Sequence, residues 1–177
     1  MTDRTPDIAV TVEDSSWDQA LADAETLCRK AALAALAAAA PRLPSGPIEV
    51  SVVLADDALV QGLNRDWRGK DRPTNVLSFA ALDGPATAQA ADAPVLLGDV
   101  ILAYGTCRAE AETDGKSLAD HLTHLVVHGT LHLLGYDHET DDDASVMEGL
   151  ETAILSAMGI ADPHGGPIAA QGERTPA

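Results

Sequence analysis

The sequence predicts a single α+β domain, of mixed α/β character, over residues 7–160. A chain of 177 residues is long enough to bury one hydrophobic core without disulfides. Short runs of β-branched residues, typical of strands, occur among longer segments whose apolar residues recur with helical spacing. The resulting order, β-α-β-α-β-β-α-α-α, is typical of a sheet packed against helices. Residues 161–177 are rich in proline and glycine and are predicted to form a disordered tail.

The elements follow from local signals along the chain. Alternating apolar residues indicate the first strand, and Pro41 is expected to end the first helix. Asp56 and Asp57 favour a helix start, because acidic side chains stabilise helix N-termini. Gly115 and Gly159 are expected to end two later helices. The predicted strands are 8–12, 48–54, 75–79 and 99–104, and the predicted helices are 15–40, 57–67, 106–113, 117–134 and 141–158. A low-complexity loop at 81–94 is predicted to be mobile.

Composition excludes several classes of function. The chain has 28 acidic and 11 basic residues and a net charge of −17, which argues against binding polyanions by bulk electrostatics. Its five aromatic residues are too few for an extended base-stacking surface. The polar start does not resemble a signal peptide, and the alanine-rich run at 31–40 is too short to span a bilayer. We therefore expect a cytoplasmic protein with no membrane contact, in which Cys28 and Cys107 are buried thiols.

Histidines form one stripe on the predicted helix at 117–134. At 100° per residue, His121, His124, His128 and His132 share an arc of about 80°. Nearly all the remaining circumference is apolar, which indicates a buried central helix. The polar stripe is therefore expected to face an internal network or a functional site.

The spacing of three histidines predicts a metal site. His128 and His132 project from adjacent turns, and Gly135 is placed to end the helix in a left-handed turn that returns His138 to them. Three imidazoles with one open position are the catalytic arrangement of zinc, although nickel or another transition metal is possible. His121 and His124 have no such returning partner and are interpreted as structural, with contacts to the metal ligands or to the substrate as the alternative.

The same histidine spacing occurs in metzincin proteases, where a glutamate general base follows the first histidine. Here that position is Gly129, which argues against this mechanism and is interpreted as allowing close packing. A peptidase would need Glu139 or Glu148 as its base.

A basic segment precedes the third strand. Four of the eleven basic residues lie within eight positions, against the acidic background of the chain. Such a segment is either a solvated helix end or, beside a metal site, a contact for phosphate groups. Trp67 is interpreted as an anchor for the helix rather than a base-stacking residue. The four basic residues, which are the candidate substrate contacts, are Arg65, Arg68, Lys70 and Arg72.

Several motifs carry a family resemblance. They are 63–64 (LN), 67–79 (WRGKDRPTNVLSF), 97–100 (LGDV), 128–138 (HGTLHLLGYDH) and 147–151 (MEGLE). Over residues 45–158 the sequence resembles the YbeY family of bacterial rRNA-maturation endoribonucleases. The family usually has proline after the Ser-Phe pair, where this chain has Ala80.

The resemblance implies a single-strand-specific, metal-dependent endoribonuclease that acts in 16S rRNA 3′-end maturation and ribosome quality control. Ribosomal RNA and ribosomal particles are then the expected partners. It also implies a mixed four-stranded sheet packed on helices with a zincin-like, buried histidine helix. In this reading His128, His132 and His138 are zinc ligands, and Arg68 is the functional arginine of the cleft.

Our hypothesis for the reaction is attack by a metal-activated water, with Arg68 stabilising the charge that develops on the phosphate. Attack by the ribose 2′-hydroxyl remains an alternative. Two other functions stay open at this point: a non-catalytic ribosome-assembly factor stabilised by its metal, and a metallopeptidase.

Overall fold

The structure, a computed structural model, describes residues 6–44, 46–81 and 95–160. These residues form four strands, six α-helices and a short 3-10 helix at Ala40–Arg42. The strands are β1 (Asp7–Val12), β2 (Ile48–Ala55), β3 (Val76–Ala80) and β4 (Val95–Ala103). The helices are α1 (Ser16–Ala20), α2 (Ala24–Ala38), α3 (Asp57–Arg68), α4 (Tyr104–Asp114), α5 (Leu118–Leu133) and α6 (Asp141–Ala157).

The strands form one mixed sheet in the order β1-β2-β4-β3. β1 pairs with β2, and β2 with β4, in parallel, whereas β3 runs antiparallel to β4 and lies at the edge. Ser78 of β3 lies opposite Val100 of β4 in this register. The predicted α+β class and the mixed four-stranded sheet are confirmed.

Helices cover both faces of the sheet. On one face, Val100 and Leu102 join a large core with α2, α4, α5 and α6. On the other face, Leu77 and Ile101 pack with Val60 of α3 in a smaller cluster. Since alternate residues of a strand point to opposite faces, β3 and β4 contribute side chains to both clusters.

Helix α5 is the buried central helix that the sequence predicts. Ser117 caps its start by accepting a hydrogen bond from the backbone N–H of Asp120 at 3.0 Å. Most of its side chains are buried, including Leu122, Val126 and Leu131, which are fully inaccessible to solvent. Helices α2, α4 and α6 all contact it, together with the sheet. The histidine stripe is therefore held by the most enclosed element of the fold.

Two elements differ most from the sequence prediction. The expected helix at 15–40 is two helices, because Leu21 is extended (φ −135°, ψ 102°). Fully buried Trp17 donates its indole N–H to the carbonyl of Ala55 at 2.9 Å, which fixes α1 against the end of β2. β4 begins at Val95 rather than at 99, since its first residues pair with the start of β2.

Other predictions concern parts of the chain that bear less on the site. The loop predicted at 81–94, beyond residue 81, and the tail predicted at 161–177 lie outside the described residues. The domain limits of 7–160 stay a prediction. Cys28 and Cys107 are buried and unbridged, and burial raises the pKa of Cys28 to about 12. None of the helices in the described ranges combines the length and the apolar character that crossing a bilayer requires.

Candidate metal centre

Three histidines meet at one point beside the sheet edge. One nitrogen each of His128, His132 and His138 lies within 4.8 Å of the other two. Nε2 of His128 is 3.0 Å from Nε2 of His132. Two nitrogens bound to one tetrahedral zinc ion lie about 3.3 Å apart, so the donor set fits such an ion. His128 and His132 are half-buried and His138 is exposed, which leaves the centre open on one side.

A left-handed turn delivers the third histidine, as the sequence predicts. Gly135 follows the last residues of α5 with a φ of 94°, and the N–H of Tyr136 returns to the carbonyl of Leu131 at 3.2 Å. Arg42 clamps this turn from the 3-10 helix. Its guanidinium donates to the carbonyl of Leu134 at 3.3 Å and lies 3.7 Å from the centre of the Tyr136 ring.

The local environment keeps His132 able to bind a cation. Burial, followed by the positive charges that His128 and His138 carry when protonated, lowers the pKa of His132 to about 4. A metal ligand must be neutral, because a protonated ring nitrogen has no lone pair to donate. His132 therefore presents its lone pair at neutral pH.

Sequence reasoning missed a buried carboxylate behind the histidines. Glu151 of α6 is 1% exposed and accepts hydrogen bonds from Nδ1 of His128 at 2.6 Å and from Nε2 of His124 at 3.0 Å. One signal in the sequence could have found it. Glu151 shares the buried face of α6 with Met147, Ile154 and Leu155, so it is a carboxylate within an apolar stripe.

The two remaining histidines of α5 lie further from the point of convergence. His121 is buried and contacts Oε1 of Glu110 at 2.9 Å, and the amide of Asn75 donates to the same oxygen at 3.0 Å. This arrangement links α5 to α4 and to the start of β3, which agrees with a structural role. His124 differs, because its partner Glu151 also holds His128.

Close packing of α5 on the sheet brings Ser78 of β3, the hydrogen-bond partner of Arg68, against Gly129 of the histidine helix. A Cβ added to Gly129 would lie 2.6 Å from a methyl group of Val100 and 3.0 Å from Oγ of Ser78. The Ser78 hydroxyl donates to the carbonyl of Gly129 at 3.1 Å. Arg68 donates to the carbonyl of Ser78 at 2.9 Å, so these contacts connect its guanidinium to the residue that follows His128.

The other basic residues surround Arg68 in an exposed segment. Gly69 ends α3 in the left-handed conformation, with a φ of 72°. Buried Asn64 shapes the following loop, because its amide donates to the carbonyl of Arg72 at 2.9 Å and its own carbonyl accepts from the N–H of Lys70 at 3.2 Å. Arg65 forms an exposed ion pair with Asp66. The four candidate substrate contacts, Arg65, Arg68, Lys70 and Arg72, are all exposed.

The interpretation of Trp67 as an anchor is wrong. Its side chain is 72% exposed, and its ring meets Phe79 edge-on with the centroids 6.4 Å apart. Trp67 shares the helix face of Val60 and Asn64, which are buried and attach α3 to the sheet. Because Trp67 belongs to the last turn of α3, most of its ring projects beyond this packed region.

The chain is similar to several known proteins. A model of the family described as endoribonuclease YbeY matches residues 11–159. The endoribonuclease YbeY of Paramagnetospirillum magneticum is 60% identical over 161 residues, which cover 91% of this chain and 97% of the relative. The endoribonuclease YbeY of Rhodospirillum rubrum is 53% identical over 167 residues, which cover 92% of this chain and 84% of the relative. The solution structure of TM1509 from Thermotoga maritima aligns with 89% of this chain and 98% of its own at 20% identity and a TM-score of 0.47.

The family match and the two relatives each extend over most of the chain, and they include all the residues of the histidine centre. The chain therefore belongs to the endoribonuclease YbeY family.

Proposed function

We propose that the protein is a metal-dependent endoribonuclease that cleaves single-stranded ribosomal RNA in the cytoplasm. Its expected task is 16S rRNA 3′-end maturation and ribosome quality control on ribosomal particles. The observation that carries the metal dependence is the convergence of His128, His132 and His138 within 4.8 Å. The family membership supports the RNA substrate.

The donor set suits zinc, and other transition metals that accept imidazole, such as nickel, are alternatives. A divalent ion held by the three histidines would polarise a phosphoryl oxygen and lower the pKa of a bound water toward about 7. The chain itself supplies three imidazole nitrogens and an open side, on which His138 is exposed.

We expect Arg68 to bind the phosphate group that reacts. Its hydrogen bond to the Ser78 carbonyl fixes the guanidinium at the edge of the sheet, beside α5. An arginine has five N–H donors, so one bond to Ser78 leaves donors for phosphate oxygens. Charge that develops on those oxygens during cleavage would be stabilised by the guanidinium.

The surface around Arg68 suits an unpaired RNA strand. Arg65, Lys70 and Arg72 are exposed and can contact successive phosphates. The exposed ring of Trp67 offers one face on which a single base can stack. A base inside a duplex has no free face for such stacking, which favours single-stranded substrates.

The geometry argues against the peptidase alternative. Glu151 is a carboxylate in contact with His128, but its two oxygens accept hydrogen bonds from His128 and His124. It approaches His128 at Nδ1, on the other side of the ring from Nε2. Glu139 and Glu148, one of which a peptidase would need as its base, are exposed.

Elemental analysis and RNA cleavage together test the proposal. We expect one divalent ion per purified wild-type chain and cleavage of a single-stranded RNA that spans a 16S 3′ end. His132→Ala should lose both. His121→Gln is the matched control on the same helix; its amide can still donate to Glu110, so metal and cleavage should remain.

Two outcomes would contradict parts of this proposal. A 2′,3′-cyclic phosphate product would exclude water as the nucleophile. A folded, metal-loaded Arg68→Ala variant that retains full function in ribosome maturation would favour the non-catalytic assembly factor.

A further inference from the structure

We propose that Glu151 is a positioning residue of the metal centre, which holds the His128 ring so that Nε2 faces the point shared with His132 and His138. His124, in turn, holds the carboxylate of Glu151. This inference rests on the proposed metal site and assigns roles to two residues outside the set of three ligands.

The hydrogen bonds to Glu151 determine which nitrogen of His128 is available. A carboxylate oxygen accepts hydrogen bonds, so Nδ1 of His128, 2.6 Å from Oε2 of Glu151, is assigned as the donor in this contact. In a neutral ring the lone pair then lies on Nε2, which is the nitrogen that faces His132 at 3.0 Å. The carboxylate thus selects the tautomer that a metal ion requires.

The burial of Glu151 supports a role beyond packing. The carboxylate is 1% exposed, within a face of α6 that also contains Met147 and Ile154. Burying a carboxylate there costs free energy unless hydrogen-bond donors compensate the loss of water. The imidazole N–H groups of His124 and His128 are such donors. An ion on the far side of the His128 ring would balance the negative charge further.

Glu151 does not fit the alternative role of a direct ligand. His124, His128 and Glu151 also offer atoms within 4.8 Å of one another. However, two atoms that bind one tetrahedral ion lie about 3.3 Å apart, whereas Nδ1 of His128 and Oε2 of Glu151 are separated by the 2.6 Å of a short hydrogen bond.

A second glutamate–histidine pair, which joins α4 to α5, provides a matched control. Glu110 contacts Nε2 of His121 at 2.9 Å, with the same chemistry as the Glu151 pair. His121 lies outside the group of converging histidines. Glu110→Gln and Glu151→Gln therefore make the same chemical change, and only the second lies behind a proposed ligand.

The experiment measures metal affinity rather than activity. Metal-free wild type, Glu151→Gln and Glu110→Gln are titrated with Zn²⁺ against a chromophoric chelator. We expect Glu151→Gln to bind about 10–100-fold more weakly, with an unchanged stoichiometry of one, because loss of such a partner typically has this effect. Glu110→Gln should bind within about twofold of wild type, since its pair does not orient a ligand.

A second measurement needs no substitution and covers the case in which Glu151→Gln does not fold. Long-range ¹H–¹⁵N spectra of the metal-free wild-type protein should show His128 as the Nδ1–H tautomer. Observation of the Nε2–H tautomer would overturn the inference.

The outcomes separate this inference from the proposed function. If wild type binds no metal, both fail. If wild type binds metal and Glu151→Gln binds it equally tightly, only the role of Glu151 fails. The role of Glu151 also fails if Glu110→Gln weakens Zn²⁺ binding as much as Glu151→Gln does. It fails likewise if the wild type binds two ions and Glu151→Gln binds one, because Glu151 would then be a ligand itself.

Discussion

His128 and His121 show how neighbours decide what a histidine does. Both belong to α5, and each contacts a glutamate through one ring nitrogen, at 2.6 Å and 2.9 Å. The other nitrogen of His128 faces His132 and lies near His138, whereas His121 is outside this group. A carboxylate partner is thus common to both, and the convergence of further imidazoles is what distinguishes the candidate ligand.

Arg68→Ala should reduce RNA cleavage by about 10²–10³-fold, because the loss of one preorganised donor to the reacting group typically costs about 2.7–4 kcal/mol. Arg68→Lys should recover only part of the rate, since lysine keeps the charge but not the planar fork of donors. Single-turnover cleavage rates with metal-loaded protein provide the measurement.

The control for Arg68 is Arg108→Ala. Arg108 is an exposed arginine of α4 that pairs with Glu112, outside the basic segment. Its variant should cleave at the wild-type rate. Equal loss in both variants would show that Arg68 has no specific role in the reaction.

At the scale of elements, α5 forms the site through its two glycines. Gly129 lets the helix approach β3 and β4 closely, and Gly135 provides the turn that returns His138. The approach at Gly129 also sets the contact between the Ser78 hydroxyl and the helix, and the carbonyl of the same serine accepts a hydrogen bond from Arg68. The helix with two of the candidate metal ligands and the candidate phosphate-binding arginine therefore both contact Ser78.

Gly129→Ala should destabilise the protein by up to about 2 kcal/mol. The new methyl group would lie 2.6 Å from a methyl group of fully buried Val100. Overpacking of this kind costs about 1–3 kcal/mol, and the better helix propensity of alanine offsets up to about 1 kcal/mol of this cost. Urea unfolding measures the difference in free energy.

Gly149→Ala is the matched helical control. A Cβ at Gly149 meets no atom within 4 Å in the described structure, so this variant should gain about 0.5–1 kcal/mol. Equal stability of the two variants would contradict the close approach of α5 to the sheet.

The sequence was sufficient for features that are local in the chain. The histidine spacing, the apolar surface of α5 and the turn at Gly135 all follow from residues a few positions apart, and the structure agrees with them. The break at Leu21 depends on the bond between Trp17 and Ala55, which are 38 residues apart. Likewise, Glu151 meets His128 across 23 residues, so no local pattern pairs them.

The whole molecule combines a strongly negative surface with a small basic one. Its net charge is −17, and residues 139–151 include six acidic side chains and no lysine or arginine. Asp141, Asp142 and Asp143 are exposed at the start of α6, where they stabilise the helix N-terminus. The exposed basic segment lies on another element, the end of α3 and the loop after it. An approaching RNA strand is therefore repelled by most of the protein and attracted by one region.

This charge distribution predicts weak cleavage of naked RNA that falls steeply with salt. For single strands, the logarithm of the binding constant falls by about 0.7 per phosphate contact for each tenfold rise in salt. If the four basic residues each contact one phosphate, kcat/KM should fall about 50-fold between 50 and 200 mM salt. Lys70→Gln should reduce this slope by about 0.7, and Arg29→Gln, in an exposed pair on α2, should leave it unchanged.

RNA presented on ribosomal particles should be cleaved faster than the naked RNA, because other contacts of the particle compensate the repulsion. Robust cleavage of isolated oligonucleotides that does not depend on salt would contradict this account, since RNA would then be held by something other than the basic segment.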